Sequence, residues 1–134
     1  MRLLAVDTTG PFGSAALLDG TRLLAEEKFE AGLNHSELLM PAVDRLFRSD
    51  RSEISSVEGY CVAAGPGSFT GIRIGLATIK ALAFASGRRV AAVSSLRALA
   101  LKLQTKEPGA RLLCPIIDAK KGEIYAALFD AGTG

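Results

Sequence analysis

Apolar and polar positions change period several times along the 134 residues, and each change marks an element. RLLAV (2–6) is an unbroken apolar run that stops at Asp7, the pattern of a buried strand. DTTGPFG follows as a turn, and SAALL (14–18) predicts a second strand. Asp19-Gly20 is a hairpin signal, so 21–29 return as a third strand and the chain opens with an antiparallel meander. From AGLNHSELLMPAVDRLF the period becomes helical: Leu39, Val43 and Leu46 share a face, with Leu38, Ala42 and Phe47 beside it. Asn34 reads as an N-cap with Glu37 completing a capping box, while Pro41 predicts a kink or a later start.

After the polar connector SDRSE, VEGYCVAA (57–64) reads as a strand, 70–86 as a helix, 89–93 as a short strand and 95–105 as a helix. TKEPGA carries Pro-Gly and charge, and predicts a boundary that divides the chain into 1–110 and 111–134. Beyond it, LLCPIID (112–118) and EIYAALFD (123–130) predict two more strands. This pair repeats the first at one constant offset: Asp7 matches Asp118, Ala15 Ala126, Ala16 Ala127, Leu17 Leu128 and Asp19 Asp130. The pattern predicts an internal duplication whose second copy has only begun when the sequence stops.

Composition narrows the function classes. Residues are 49% apolar and 22% charged, which is globular. Sixteen basic against fourteen acidic residues give a net charge of +2, too balanced for an electrostatic grip on nucleic acid or on a membrane surface. The opening apolar run is too short for a secretory signal, and no stretch reads as long enough to span a bilayer. Cys61 and Cys114 lie in apolar segments and read as two buried thiols. With His35 the single histidine, and no Cys-x-x-Cys, no zinc site is expected. His35 reads as a helix-terminus or interface residue; Glu37 and Asp44 read as a solvated helix face.

AAGPGSFTGIRIGL (63–76) is the candidate for chemistry. A strand leads in and a helix leads out, so backbone N–H groups could converge on a phosphate near Asp7, Thr8, Thr9, Gly65, Gly67 and Ser68. The spacing fails both nucleotide templates: Gly65 and Gly71 enclose five residues where a P-loop has four, Ile72-Arg73 stands for Lys-Ser, and Gly65 to Gly71 has one residue too many for a dinucleotide fingerprint. The packing alternative has Gly65 and Gly67 at positive φ around Pro66, Ser68 or Thr70 capping the helix, and Gly71, Gly75, Thr78 and Leu82 forming a small-residue stripe for close approach of another helix. Arg73, one turn into that helix, suits a phosphate or a partner carboxylate.

LLAVDTTG, NHSELLMPAV, AAGPGSFTGIRIGLATIKALA and IIDAKKGEIYAALF, in this order, resemble the bacterial TsaB family, also called YeaZ. That family lies within the superfamily of actin, sugar kinases and heat-shock ATPases (ASKHA). The resemblance covers essentially the whole chain, although family members continue through most of a second domain. It implies an α/β ASKHA fold, actin-like and ribonuclease H-like. An antiparallel meander and then alternating strands and helices would form a mixed sheet flanked by helices over 1–110, with the first hairpin of a second domain at 111–134.

The resemblance also implies a role in making N6-threonylcarbamoyladenosine at position 37 of tRNA. In that pathway TsaD is the transferase, holding a metal through His-x-x-x-His and binding nucleotide. TsaB is its non-catalytic paralogue and scaffold, and TsaE is an ATPase that joins them. A cytoplasmic chain is implied, with no cofactor, no membrane, TsaD-like and TsaE-like partners, and tRNA met only through the complex. Pairing with TsaD, or with a second copy, would use the helices at about 35–48 and 70–86. The implied interface residues are Leu39, Val43, Leu46, Gly71, Arg73, Gly75, Thr78 and Leu82. The alternative is an ATP-using phosphotransferase or hydrolase of the same superfamily, resting on Asp7-Thr8-Thr9 and the glycine loop. A peptidase has no nucleophile–base or metal constellation to support it.

Overall fold

The computed structural model describes residues 1–30 and 34–132. Ala31, Gly32 and Leu33, where the helical pattern begins in the sequence, lie outside the described residues, as do Thr133 and Gly134. Strands β1 (Arg2–Asp7), β2 (Phe12–Asp19) and β3 (Arg22–Glu30) form the expected antiparallel meander. Alternation sends Leu4 and Val6 of β1, Ala15 and Leu17 of β2, and Phe29 of β3 into the core. Gly20, at φ 59°, makes the turn between Asp19 and Arg22.

Helix α1 (His35–Asp50) then leads, through a short 3-10 turn, to β4 (Gly59–Ala63), α2 (Phe69–Ser86), β5 (Arg89–Val93) and α3 (Ser95–Lys106). β4 runs parallel to β1, and β5 to β4, giving a five-stranded mixed sheet in the order β3-β2-β1-β4-β5. α1 packs on β2 and β3, α2 packs chiefly on β4, and the main core lies between these helices and one face of the sheet. Leu39, Val43 and Leu46 meet Leu4, Leu17, Val62 and Ile79 there, all at 2% exposure or less.

Two details of α1 differ from expectation. The Asn34 side chain makes no cap hydrogen bond; its backbone carbonyl alone accepts Glu37 N (3.1 Å) and Leu38 N (3.2 Å). The helix neither starts late nor breaks at Pro41, which stands inside it with its ring exposed. The missing N–H there deprives only the Glu37 carbonyl of its partner. His35 anchors the first turn instead: its Nε2 is 2.9 Å from the Gly10 carbonyl oxygen and its ring meets Phe29 edge-on.

The C-terminal strands are more broken than the sequence pattern suggests. LLCPIID divides into β6 (Leu112–Leu113) and β7 (Ile116–Lys120), and EIYAALFD into β8 (Glu123–Ala126) and β9 (Phe129–Asp130). β6 pairs with β9 and β7 with β8, and Leu113↔Phe129 and Ile116↔Ala126 keep one register three residues apart on each strand. They are one hairpin, interrupted where Pro115 has no N–H to give to the ladder.

α2 also corrects the expectation about membrane length. By length and composition alone its 18 residues could cross a bilayer. Yet Gly71, Gly75, Ile79 and Ala83 are buried against the chain itself, and Arg73 and Lys80 stand on the opposite side. One face of α2 therefore lies on the sheet, and the other carries two charges beside exposed apolar side chains.

Candidate functional site

β1 ends and α2 begins at the same edge of the sheet, and the sequence-selected residues meet there. Asp7 Oδ1 accepts the Thr9 backbone N–H (2.8 Å) and the Thr9 hydroxyl (2.7 Å). This is an Asx turn, which holds the bend after β1. Ser95, buried at the start of α3, donates its hydroxyl to Thr9 Oγ1 (3.1 Å) and its N–H to the Gly65 carbonyl (2.9 Å). Ser68 donates its N–H to the Thr9 carbonyl (2.7 Å) and caps α2 by accepting Gly71 N at 3.2 Å. Thr8, 1% exposed, donates its hydroxyl to the Gly71 carbonyl at 2.6 Å.

Asp7, Thr8, Thr9, Gly65, Gly67 and Ser68 are therefore brought together, but their polar groups are spent largely on one another. The glycines permit close approach. A Cβ on Gly67 would fall on the Thr9 carbonyl oxygen, one on Gly71 on that of Thr8, and one on Gly75 would stand 2.6 Å from Thr8 Oγ1. Of the loop glycines expected at positive φ, Gly65 is at 96° and Gly67 is not, so Gly67 is required for space and not for its dihedral. The loop buckles β1 to α2, and Thr9, Gly67 and Ser68 also line the open space beside it. Asp7→Ala is expected to destabilise the chain by about 1–3 kcal/mol, because it orphans the Thr9 N–H, and Asp7→Asn by less, since an acceptor remains. Urea denaturation of both variants checks the order.

A cavity of about 620 Å³ lies outside this buckle, lined by Thr9, His35, Ser68, Asp118, Lys120 and Tyr125 among others. Asp118 repeats the local geometry of Asp7, with Oδ1 accepting Lys120 N at 2.8 Å. The described residues contain no cluster of three or more His, Cys, Asp or Glu able to hold a metal. Both cysteines are free thiols; Cys61 is half-buried, and burial pushes its thiol pKa up. Cys114 is exposed, contrary to its apolar setting in sequence.

The eight residues proposed for an interface are divided by the structure. Leu39, Val43, Leu46, Gly71 and Gly75 are buried in the chain's own core or buckle. Leu82 is half-buried against that core and Thr78 is half-buried. Only Arg73 is exposed. The two glycines of the small-residue stripe thus let α2 lie on Thr8.

The opposite face of α2 is the open one. Phe69 is 74% exposed and Phe84 91%, and Arg73, Ala77 and Lys80 are exposed between them. The Arg73 guanidinium lies over the Phe69 ring, 5.2 Å from its centroid. Sequence reasoning missed Phe69, Lys80 and Phe84, although positions 69, 73, 77, 80 and 84 fall on one helical face away from Gly71 and Gly75. It also missed Ser95, which no local pattern separates from the capping residue Ser94.

Residues 29–133 match the family model described as "TsaD: tRNA N6-adenosine threonylcarbamoyltransferase". The chain is 36% identical over all its length to the tRNA threonylcarbamoyladenosine biosynthesis protein TsaB of Bacillus subtilis, covering 57% of that protein. The structure is similar to that of YeaZ from Pseudomonas aeruginosa, with a TM-score of 0.85 and 35% identity over 96% of this chain and 60% of that one. A hexokinase of the ROK type from Thermus thermophilus shares the fold at a TM-score of 0.56 and 21% identity, over 96% of this chain and 46% of that one. The chain thus spans somewhat over half the length of these TsaB and YeaZ relatives. Its mixed sheet flanked by helices is an ASKHA-type fold, and the chain belongs to the TsaB (YeaZ) branch of the TsaD threonylcarbamoyltransferase family.

Proposed function

We propose that this chain belongs to a non-catalytic scaffold subunit in the biosynthesis of tRNA N6-threonylcarbamoyladenosine, and that it pairs with a TsaD-type transferase through the outward face of α2. The observation that carries the reading is the pair of exposed aromatics, Phe69 and Phe84, on a helix whose inner face is already filled by its own sheet. Aromatic side chains this open on a folded surface are the anchors that protein interfaces use. The single histidine supports a silent paralogue, since the transferase described above holds its metal through a histidine pair. A TsaE-like ATPase would join the pair, tRNA would be met through the assembly, and the work would be done in the cytoplasm. Residues 111–132, with Asp118 repeating the turn of Asp7, fit the first hairpin of a second ASKHA domain.

The test is to mix the chain with its cognate transferase and measure the mass of the complex by light scattering. A one-to-one complex is expected with the parent sequence. Phe69→Ser/Phe84→Ser should weaken it by roughly a hundredfold while leaving thermal unfolding unchanged, because both rings are outside the core. A transferase that binds the double variant as tightly as the parent chain would sink the reading.

A further inference from the structure

We infer that the exposed stripe of α2 selects a transferase helix bearing two carboxylates, and that Arg73 and Lys80 are its specificity-determining residues. The inference rests on the pairing proposed above and specifies the chemistry of its partner.

α2 contains no acidic residue in its eighteen positions, and its outer face presents Arg73 and Lys80 between Phe69 and Phe84. Neither cation forms an ion pair among the described residues. On the neighbouring helix the arrangement is different: Arg45 meets Glu27 at 3.1 Å and Arg48 meets Asp44 at 2.9 Å. The Arg73 guanidinium lies over Phe69 and keeps N–H donors for a bidentate carboxylate. Residues seven apart on a helix lie about 10 Å apart along its axis on one face. The complementary surface is therefore an apolar helix face with two carboxylates at that separation, able to neutralise both cations as the aromatics exclude water.

A second copy of this chain fits less well. α2 against α2 brings four cations together over an apolar patch with no counter-charge, which opposes association. α2 against the α1 of a second copy offers Glu37, which is exposed and forms no ion pair among the described residues, but Asp44 is already paired with Arg48. The transferase is the occupant that could supply both charges.

The experiment titrates the purified cognate transferase against the chain and two variants, Arg73→Glu/Lys80→Glu and Phe69→Ser/Phe84→Ser. All are first checked for unchanged thermal unfolding. Affinity for the parent chain should fall by roughly tenfold or more between about 0.05 M and about 0.5 M salt. Charge reversal should weaken binding by at least roughly tenfold at low salt and reverse the sign of the salt dependence, because the like charges then repel and salt screens them. Self-association of the parent chain, followed by sedimentation, should not weaken as salt rises, since its cations repel. If the aromatic variant loses binding and the charge variant does not, the charge inference is overturned and the pairing stands. If both variants bind like the parent, both fail. If charge reversal disrupts only a dimer of this chain, the second copy is the charged partner and the inference is overturned.

Discussion

Gly71→Ala is expected to destabilise the folded chain by more than about 3 kcal/mol, and Gly75→Leu to prevent stable folding. Gly71 has no room for even one carbon: its Cβ would fall on the carbonyl oxygen of Thr8, a backbone atom held in place by the sheet. Relief requires α2 to move away from β1, which breaks the 2.6 Å bond from the Thr8 hydroxyl to the Gly71 carbonyl and leaves that hydroxyl buried without a partner. At Gly75 the first added carbon would already stand 2.6 Å from Thr8 Oγ1 and 3.5 Å from Val62 Cγ2, and the rest of a leucine would have to enter the core. A helix-interior glycine on an exposed face would behave oppositely, because alanine is the better helix former by about 1 kcal/mol. Equilibrium denaturation therefore separates the two readings of the stripe by sign. Stabilisation would return Gly71 and Gly75 to the surface; loss of the folded state keeps them in the buckle.

Leu46→Ala should cost about 2–5 kcal/mol, the range for a leucine truncated in a packed core. Leu46 is fully buried and sits in the main cluster with Leu4, Leu17 and Val43. The same change at an interface would leave the isolated chain's stability nearly untouched and appear only on mixing with a partner. Chemical denaturation of the chain alone decides the matter: a loss below about 0.5 kcal/mol would put Leu46 on the outside. Together with the aromatic variants, this draws the division between inward and outward helix faces in energetic terms.

That division marks where the sequence stopped being legible. The meander, α1, α2 and β5 could be read from period and turn chemistry, because the apolar run at 2–6 and helical spacing at 39–46 are dictated by which residues must leave water. Resemblance in GPGSFTGIRIG carried the family. What periodicity could not assign was the neighbour of each face. Leu39, Val43 and Leu46 look the same in sequence whether they cover a sheet or a partner, and glycine spacing is equally suited to a helix or to a strand end. Thr8 decides the second case from 63 residues away. The outer stripe was legible in principle, since Phe69 and Phe84 lie opposite the glycines, but only after the glycines had been given an inward role. Pro115 shows the same limit on a smaller scale: the apolar run through 112–118 reads as one strand until the missing N–H is counted.

The buckle also sets a timetable for synthesis. β1 is central in the sheet, yet its neighbour β4 begins at Gly59 and the last member of the buckle, Ser95, lies 86 residues beyond Thr9. At about 5–20 residues per second, a ribosome takes roughly 4–17 s to add that stretch. Over the first part of that interval, until β4 follows, the emerging meander carries β1 as an unpaired apolar edge, available to any other strand or to a chaperone. The loop that closes over the end of β1 is therefore the last of that strand's contacts to be completed.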